Sequence, residues 1–156
     1  MEGDDAQALV ACGAALDADP NLVAARVERL LLALDRYEDL RHRGGSRPGP
    51  KARELLKRIE DDVYQLLMQG EPEPMALAQA LEDFAAKRYA KAAEGLQSCA
   101  ADHATNARIW TWAGHAWHHA AGKSAEAVAA LTEALRLRPR DAHALNLRGL
   151  AHKEAG

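Results

Sequence analysis

Apolar residues return along this chain at intervals of three and four, the spacing of one helical face, rather than two. Ala8, Leu9, Cys12, Ala15 and Leu16 form the first stripe, with Asp4 or Asp5 placed to cap it. It predicts a helix to about Asp19, ended by Pro20. Val23, Val27, Leu30, Leu31 and Leu34 predict a second helix over about 22–41. Gly44-Gly45-Ser46-Arg47-Pro48-Gly49-Pro50 interrupts the pattern and reads as a flexible loop. Pro50 suits a first helical position, and Leu55, Leu56, Ile59, Val63, Leu66 and Leu67 carry a third helix to about Gln69. On its polar side, Glu54 with Arg58 and Lys57 with Asp61 stand four apart and can pair. Gly70-Glu71-Pro72-Glu73-Pro74 breaks the chain again. Five shorter helices follow at about 75–86, 89–103, 106–121, 123–138 and 141–155. The expectation is eight helices and no strand, with short turns making sequential helices antiparallel neighbours.

The later helices repeat one another. Trp110-x2-Ala113-Gly114-x2-Trp117 is followed by Ala127-x3-Leu131-x2-Ala134 and then Pro139. Gly149 lies 35 residues after Gly114, and Ala92-x3-Leu96-x2-Cys99 lies 35 residues before Ala127-x3-Leu131-x2-Ala134. A period in this range marks stacked helical units. Small residues let two helices cross closely, and large ones fill the gaps between pairs.

On these residues the segment 107–140 resembles a tetratricopeptide repeat. Trp110, Ala113, Gly114 and Trp117 stand in the slots of the family's first helix. Ala127, Leu131 and Ala134 stand in those of its second, and Pro139 closes the unit. Ala92, Leu96 and Cys99 fit the second helix of a preceding repeat, with Tyr89 in its opening turn. Its first helix, around Leu77 to Phe84, lacks the glycine, and Ala104 replaces the closing proline. Residues 142–156 resemble a first helix only, with Leu145 in the aromatic slot and Gly149 in the glycine slot, then Lys153 and Gly156. Ala8, Cys12, Ala15 and Pro20 match another second helix. From there to Ala92 is two periods and a further 14 residues, which fit the glycine–proline loop and the long helices beside it. The two better repeats also carry one residue more than the usual 34, in the turn between helices.

The resemblance implies an all-α, right-handed solenoid of antiparallel helix pairs. It would have a divergent N-terminal part, 1–74, with its loop at 44–50. Repeat-like units would follow over 75–156, at about 75–106 and 107–140 with a partial repeat from 141. Such solenoids are usually binding surfaces. The implied function is a non-catalytic scaffold or adaptor holding a peptide or protein segment in a concave groove lined by first helices. By that carry-over the groove residues are Arg108, Thr111, His115, His119, His143, Asn146 and Lys153. Relatives of one kind hold a C-terminal carboxylate with lysines and asparagines. Here Asn146, Lys153 and Arg108 are the candidates, while Thr111 and His115 replace the expected lysine–asparagine pair.

Composition supports this class. Hydrophobic residues reach 48% but aromatics only 4%, and alanine and leucine supply the difference. That favours closely packed helices over a sheet. A net charge of −3 gives no pull toward nucleic acid or an anionic membrane. Cys12 and Cys99 sit in alanine-like slots and read as buried free thiols of a reducing compartment. Met1-Glu2-Gly3-Asp4-Asp5 is acidic where a signal peptide needs positive charge. The longest apolar run, Leu30 to Leu34, is too short to span a bilayer. The expectation is a soluble, cytoplasmic protein.

No phosphate loop, nucleophile elbow or Cys-x-x-Cys pair is present, so the chain reads as no enzyme and as carrying no cofactor. The acidic pairs Asp61-Asp62 and Glu82-Asp83 read as solvated helix faces. Histidine forms the unusual cluster: His115, His118 and His119 on one helix, His143 and His152 on the next of its kind. His115 and His119 have spacing that can grip a transition metal. No carboxylate or cysteine accompanies them, so they read as polar groove residues and no metal site is assigned. A groove so lined gains charge between about pH 7 and 5.5, which favours acidic ligands at the lower pH. Trp110 and Trp117 occupy packing slots; Trp112 either packs against the preceding repeat or stands exposed as a partner anchor. Arg136, Arg138 and Arg140 suit a helix C-terminus.

The chain stops at Gly156, where the family turns into a second helix. That reads as a fragment of a longer repeat protein. The alternative is a self-association module, a homodimer through the last helix with His143, Leu147 and Ala151 at its contact; a second alternative is a metal-binding protein or small helical enzyme built on the histidines.

Overall fold

The computed structural model describes residues 2–44 and 47–156. They form eight helices and, among the described residues, no strand. The helices are α1 (Glu2–Ala18), α2 (Val23–Gly44), α3 (Pro50–Gln69), α4 (Pro72–Ala85), α5 (Tyr89–Asp102), α6 (Ala107–His119), α7 (Ser124–Leu137) and α8 (Ala142–Ala155). Several ends differ from the sequence expectation for local reasons. α1 starts at Glu2, so Asp4 and Asp5 lie within its first turn, where negative charge favours the helix dipole, rather than at a cap. α2 runs on to Gly44; of the expected loop, Gly45 and Ser46 lie outside the described residues. Pro50 opens α3 as its spacing predicts, and Gly70 closes it at φ 70°, the left-handed conformation glycine adopts without strain. α4 then starts at Pro72. Pro74 falls in its first turn, where a missing N–H costs nothing, so the second break is shorter than its composition implied.

The chain divides into two compact units, Met1–Met75 and Ala76–Gly156. In the first, α2 packs against both α1 and α3. Leu30, Leu31, Leu32 and Ala33 are fully buried there, with Ile59, Val63 and Leu66 from α3. Asp62, also wholly buried, accepts from Arg26 Nη1 at 3.0 Å and from Arg29 Nε at 2.9 Å, while Arg26 also donates to the Pro20 carbonyl. One carboxylate thus ties α3 to α2, and Arg26 ties α2 to the turn before it.

In the second unit α5 packs on α6, α6 on α7 and α7 on α8, and α6 also meets α8 directly. Small residues set these approaches. A Cβ built on Gly114 would stand 2.7 Å from Leu131 Cδ2 and 3.2 Å from Cδ1, so α6 and α7 meet where only glycine fits. A Cβ on Gly95 would stand 2.9 Å from the Cβ of Ala80, so α5 also approaches α4 closely. Gly149 has nothing within 4 Å of the corresponding point. α6 is enclosed almost all round, with Ile109 and every residue from Thr111 to Trp117 buried, as expected of a helix packed on several sides.

Candidate functional site

α6 begins where Asn106 Oδ1 accepts from the Arg108 N–H at 3.1 Å, capping its first turn. That fixes the register which puts His115 and His119 one turn apart on the same face. Their Nε2 atoms lie 3.2 Å apart and their ring centroids 4.9 Å. The His143 ring of α8 stands edge-on to His115 at 5.3 Å. Phe84, at the end of α4, lies 5.1 Å from His115 and makes a T-shaped contact with Trp112 at 5.5 Å. Tyr89, the first residue of α5, covers His119 at 4.9 Å and meets Phe84 edge-on at 5.4 Å. The result is one continuous cluster of aromatic and imidazole rings drawn from α4, the start of α5, α6 and α8.

Asp83 anchors the edge of this cluster beside Phe84. It is buried and accepts from Arg88 Nε at 2.8 Å, with Lys91 Nζ at 3.1 Å from its other oxygen. Burial pushes its carboxyl up, but the hydrogen bonds and charges of Arg88 and Lys91 outweigh this and hold it below the ordinary aspartate value. The turn they stabilise places Lys87 at φ 61°, the one positive φ among the described non-glycine residues. On the other side of α6, His118 Nδ1 meets Glu154 Oε2 of α8 at 3.2 Å.

The seven residues assigned to the groove divide by depth. His115, His119 and His143 come together in the ring cluster. His119, Asn146 and Lys153 are exposed, and Arg108 and His143 are half-buried. Thr111 is not open to a ligand: it is 1% exposed and its hydroxyl donates to the Ala107 carbonyl at 3.1 Å. His115 too is buried, at 4% exposure. Trp112 packs against Phe84 and is no exposed anchor. Trp117 donates from Nε1 to Gln97 Oε1 at 2.7 Å, with Lys123 Nζ over its ring at 5.7 Å.

Three further expectations differ from the structure. Asp62 and Asp83 are buried ion-pair centres, not solvated residues; only Asp61 and Glu82 of those pairs are exposed. Cys12 is half-buried while Cys99 is buried. Leu147 and Ala151 pack inside the second unit and cannot form an outer contact of α8, whose exposed apolar residues are Leu145 and Leu150. Phe84 and Tyr89 were not assigned to the groove; the signal was the chain's single phenylalanine lying five residues before a tyrosine across a turn.

Among the described residues no helix is long and apolar enough to cross a membrane, and no group of three or more His, Cys, Asp or Glu is placed to hold a metal ion. No protein-family model, curated protein or solved structure matches the chain.

Proposed function

We propose that the second unit is a module of tetratricopeptide-type helix hairpins, a non-catalytic scaffold that holds a peptide or protein segment on the face shared by α4, α6 and α8. One observation carries this reading. Phe84, His115 and His143 come from three helices that alternate along the chain, yet their rings touch in series. Alternate helices sharing a face is what a stack of hairpins produces. The glycine-lined approach of α6 to α7 supports the same packing. Exposed His119 on α6 and Asn146 and Lys153 on α8 offer donors and positive charge, which favours an acidic segment. Rigid helices hold these groups in place, so the ordering cost of binding falls mostly on the ligand.

Selection from a random-peptide display library tests this. Acidic peptides should be enriched. Asn146→Ala and Lys153→Ala should each weaken their binding, while Arg36→Ala, in the other unit, should not. Failure to enrich any peptide, or equal binding by all three variants, would remove the reading. A second reading, self-association through α8, is favoured by the exposure of Leu145 at 45% and Leu150 at 43%. Light scattering across a wide concentration range separates the two. A mass fixed at one chain supports the scaffold alone, and a mass rising toward two chains supports self-association.

A further inference from the structure

We infer that His115 and His119 form a two-imidazole chelate for a late first-row divalent ion, of which zinc is the reference case. Ring geometry carries the chelate independently of peptide binding. Two nitrogens bound at about 2.0–2.1 Å to a tetrahedral zinc stand about 3.3 Å apart. The two Nε2 atoms stand at 3.2 Å. The helix therefore already holds both donors at the bite of the ion.

The surroundings keep them there. His115 is wedged by Phe84 at 5.1 Å, Trp112 at 5.3 Å and His143 at 5.3 Å. His119 is covered by Tyr89 at 4.9 Å and Phe84 at 6.1 Å. The buried His115 ring does not turn away without unpacking these neighbours, so it loses little side-chain freedom on binding. Their π-systems also favour a nearby cation. His119 is exposed, so water completes the coordination shell from the solvent side. Imidazole nitrogen is a ligand suited to zinc, copper and nickel rather than to magnesium or calcium.

Proton bookkeeping is simple. In the metal-free pair one Nε2–H donates to the other Nε2, and which ring donates depends on tautomer. Both rings bind metal through the Nε2 lone pair. The donor's proton therefore leaves Nε2 and that ring takes the Nδ1–H form, so a neutral pair binds the ion with no net proton release. Two protein ligands leave coordination positions open, which is how a catalytic or partner-bridging metal differs from a closed structural one.

Zinc chloride titrated into the metal-stripped 156-residue chain near pH 7.5, followed by calorimetry, tests the inference. At that pH imidazole is mostly neutral. The expected result is saturable uptake of one ion per chain. His119→Ala, at the more exposed ring of the pair, should weaken affinity about tenfold or more through loss of the second, intramolecular ligand. His103→Ala, in the turn before α6, should leave it unchanged. In imidazole nitrogen NMR, the Nε2 signals of both His115 and His119 should move on adding zinc. Absence of saturable uptake, equal affinity in His119→Ala, or shifts confined to other histidines would each overturn the chelate.

Discussion

Alanine at position 114 sets two effects against each other. It favours helix over glycine by about 1 kcal/mol. Its methyl, however, would press on Leu131, which is fully buried and has no room to retreat. Overpacking of a core costs about 1–3 kcal/mol. Gly114→Ala should therefore lower stability by up to about 2 kcal/mol. Gly149→Ala, the same change one period later but in open space, should raise it by up to about 1 kcal/mol. Urea unfolding of the two variants reads both signs. The repeat spacing made both glycines visible but could not say which had a neighbour. Asp62 was misread for a related reason. A carboxylate on the rim of an apolar stripe looks solvated until the facing helix is known, and here that helix brings Arg26 and Arg29. Asp62→Asn leaves Arg26 buried without its counter-charge and should cost about 3 kcal/mol. A loss below about 1 kcal/mol in denaturant unfolding, the range of an exposed pair, would show that water reaches the pair.

At the scale of elements, the number and order of helices were legible because the apolar period never left that of a helix. The ends were less so, since prolines tolerated in a first turn resemble breaks. The α4–α5 turn has its own pH dependence. Asp83 is held below its ordinary value in the fold. Its contribution to stability is therefore complete above the unfolded aspartate value of about 4 and is lost as pH falls through the lowered folded value. Thermal unfolding should show wild type above Asp83→Asn at neutral pH, with the gap constant down to about pH 5 and closing below about pH 4. A gap that widens in acid would reverse the assignment. Arg88 and Lys91 are both more than half exposed, so salt should narrow the gap.

On the scale of the whole molecule, periodicity gave each helix a buried face but not the depth of burial. α6 shows the difference: it is packed by α5, α7 and α8, which sinks Thr111 and His115 although their spacing marks them as polar-face residues. Chemistry assigned from a repeat pattern is thus read best at exposed positions such as His119 and Asn146. Hydrogen exchange should follow the same order. The amides of α6 should be the slowest of the second unit. Those of α1, where Leu16 alone of the described residues is buried, should be among the fastest of the first. Fast exchange in α6 would contradict its central place. The tryptophans give this organisation an optical consequence. All three stand on α6, and none lies in residues 1–75. Indole fluorescence therefore reports on the second unit. Trp112 sits 5.3 Å from the His115 ring. A charged or metal-bound imidazole at this distance would alter indole emission, so Trp112 fluorescence offers an optical test of the proposed chelate.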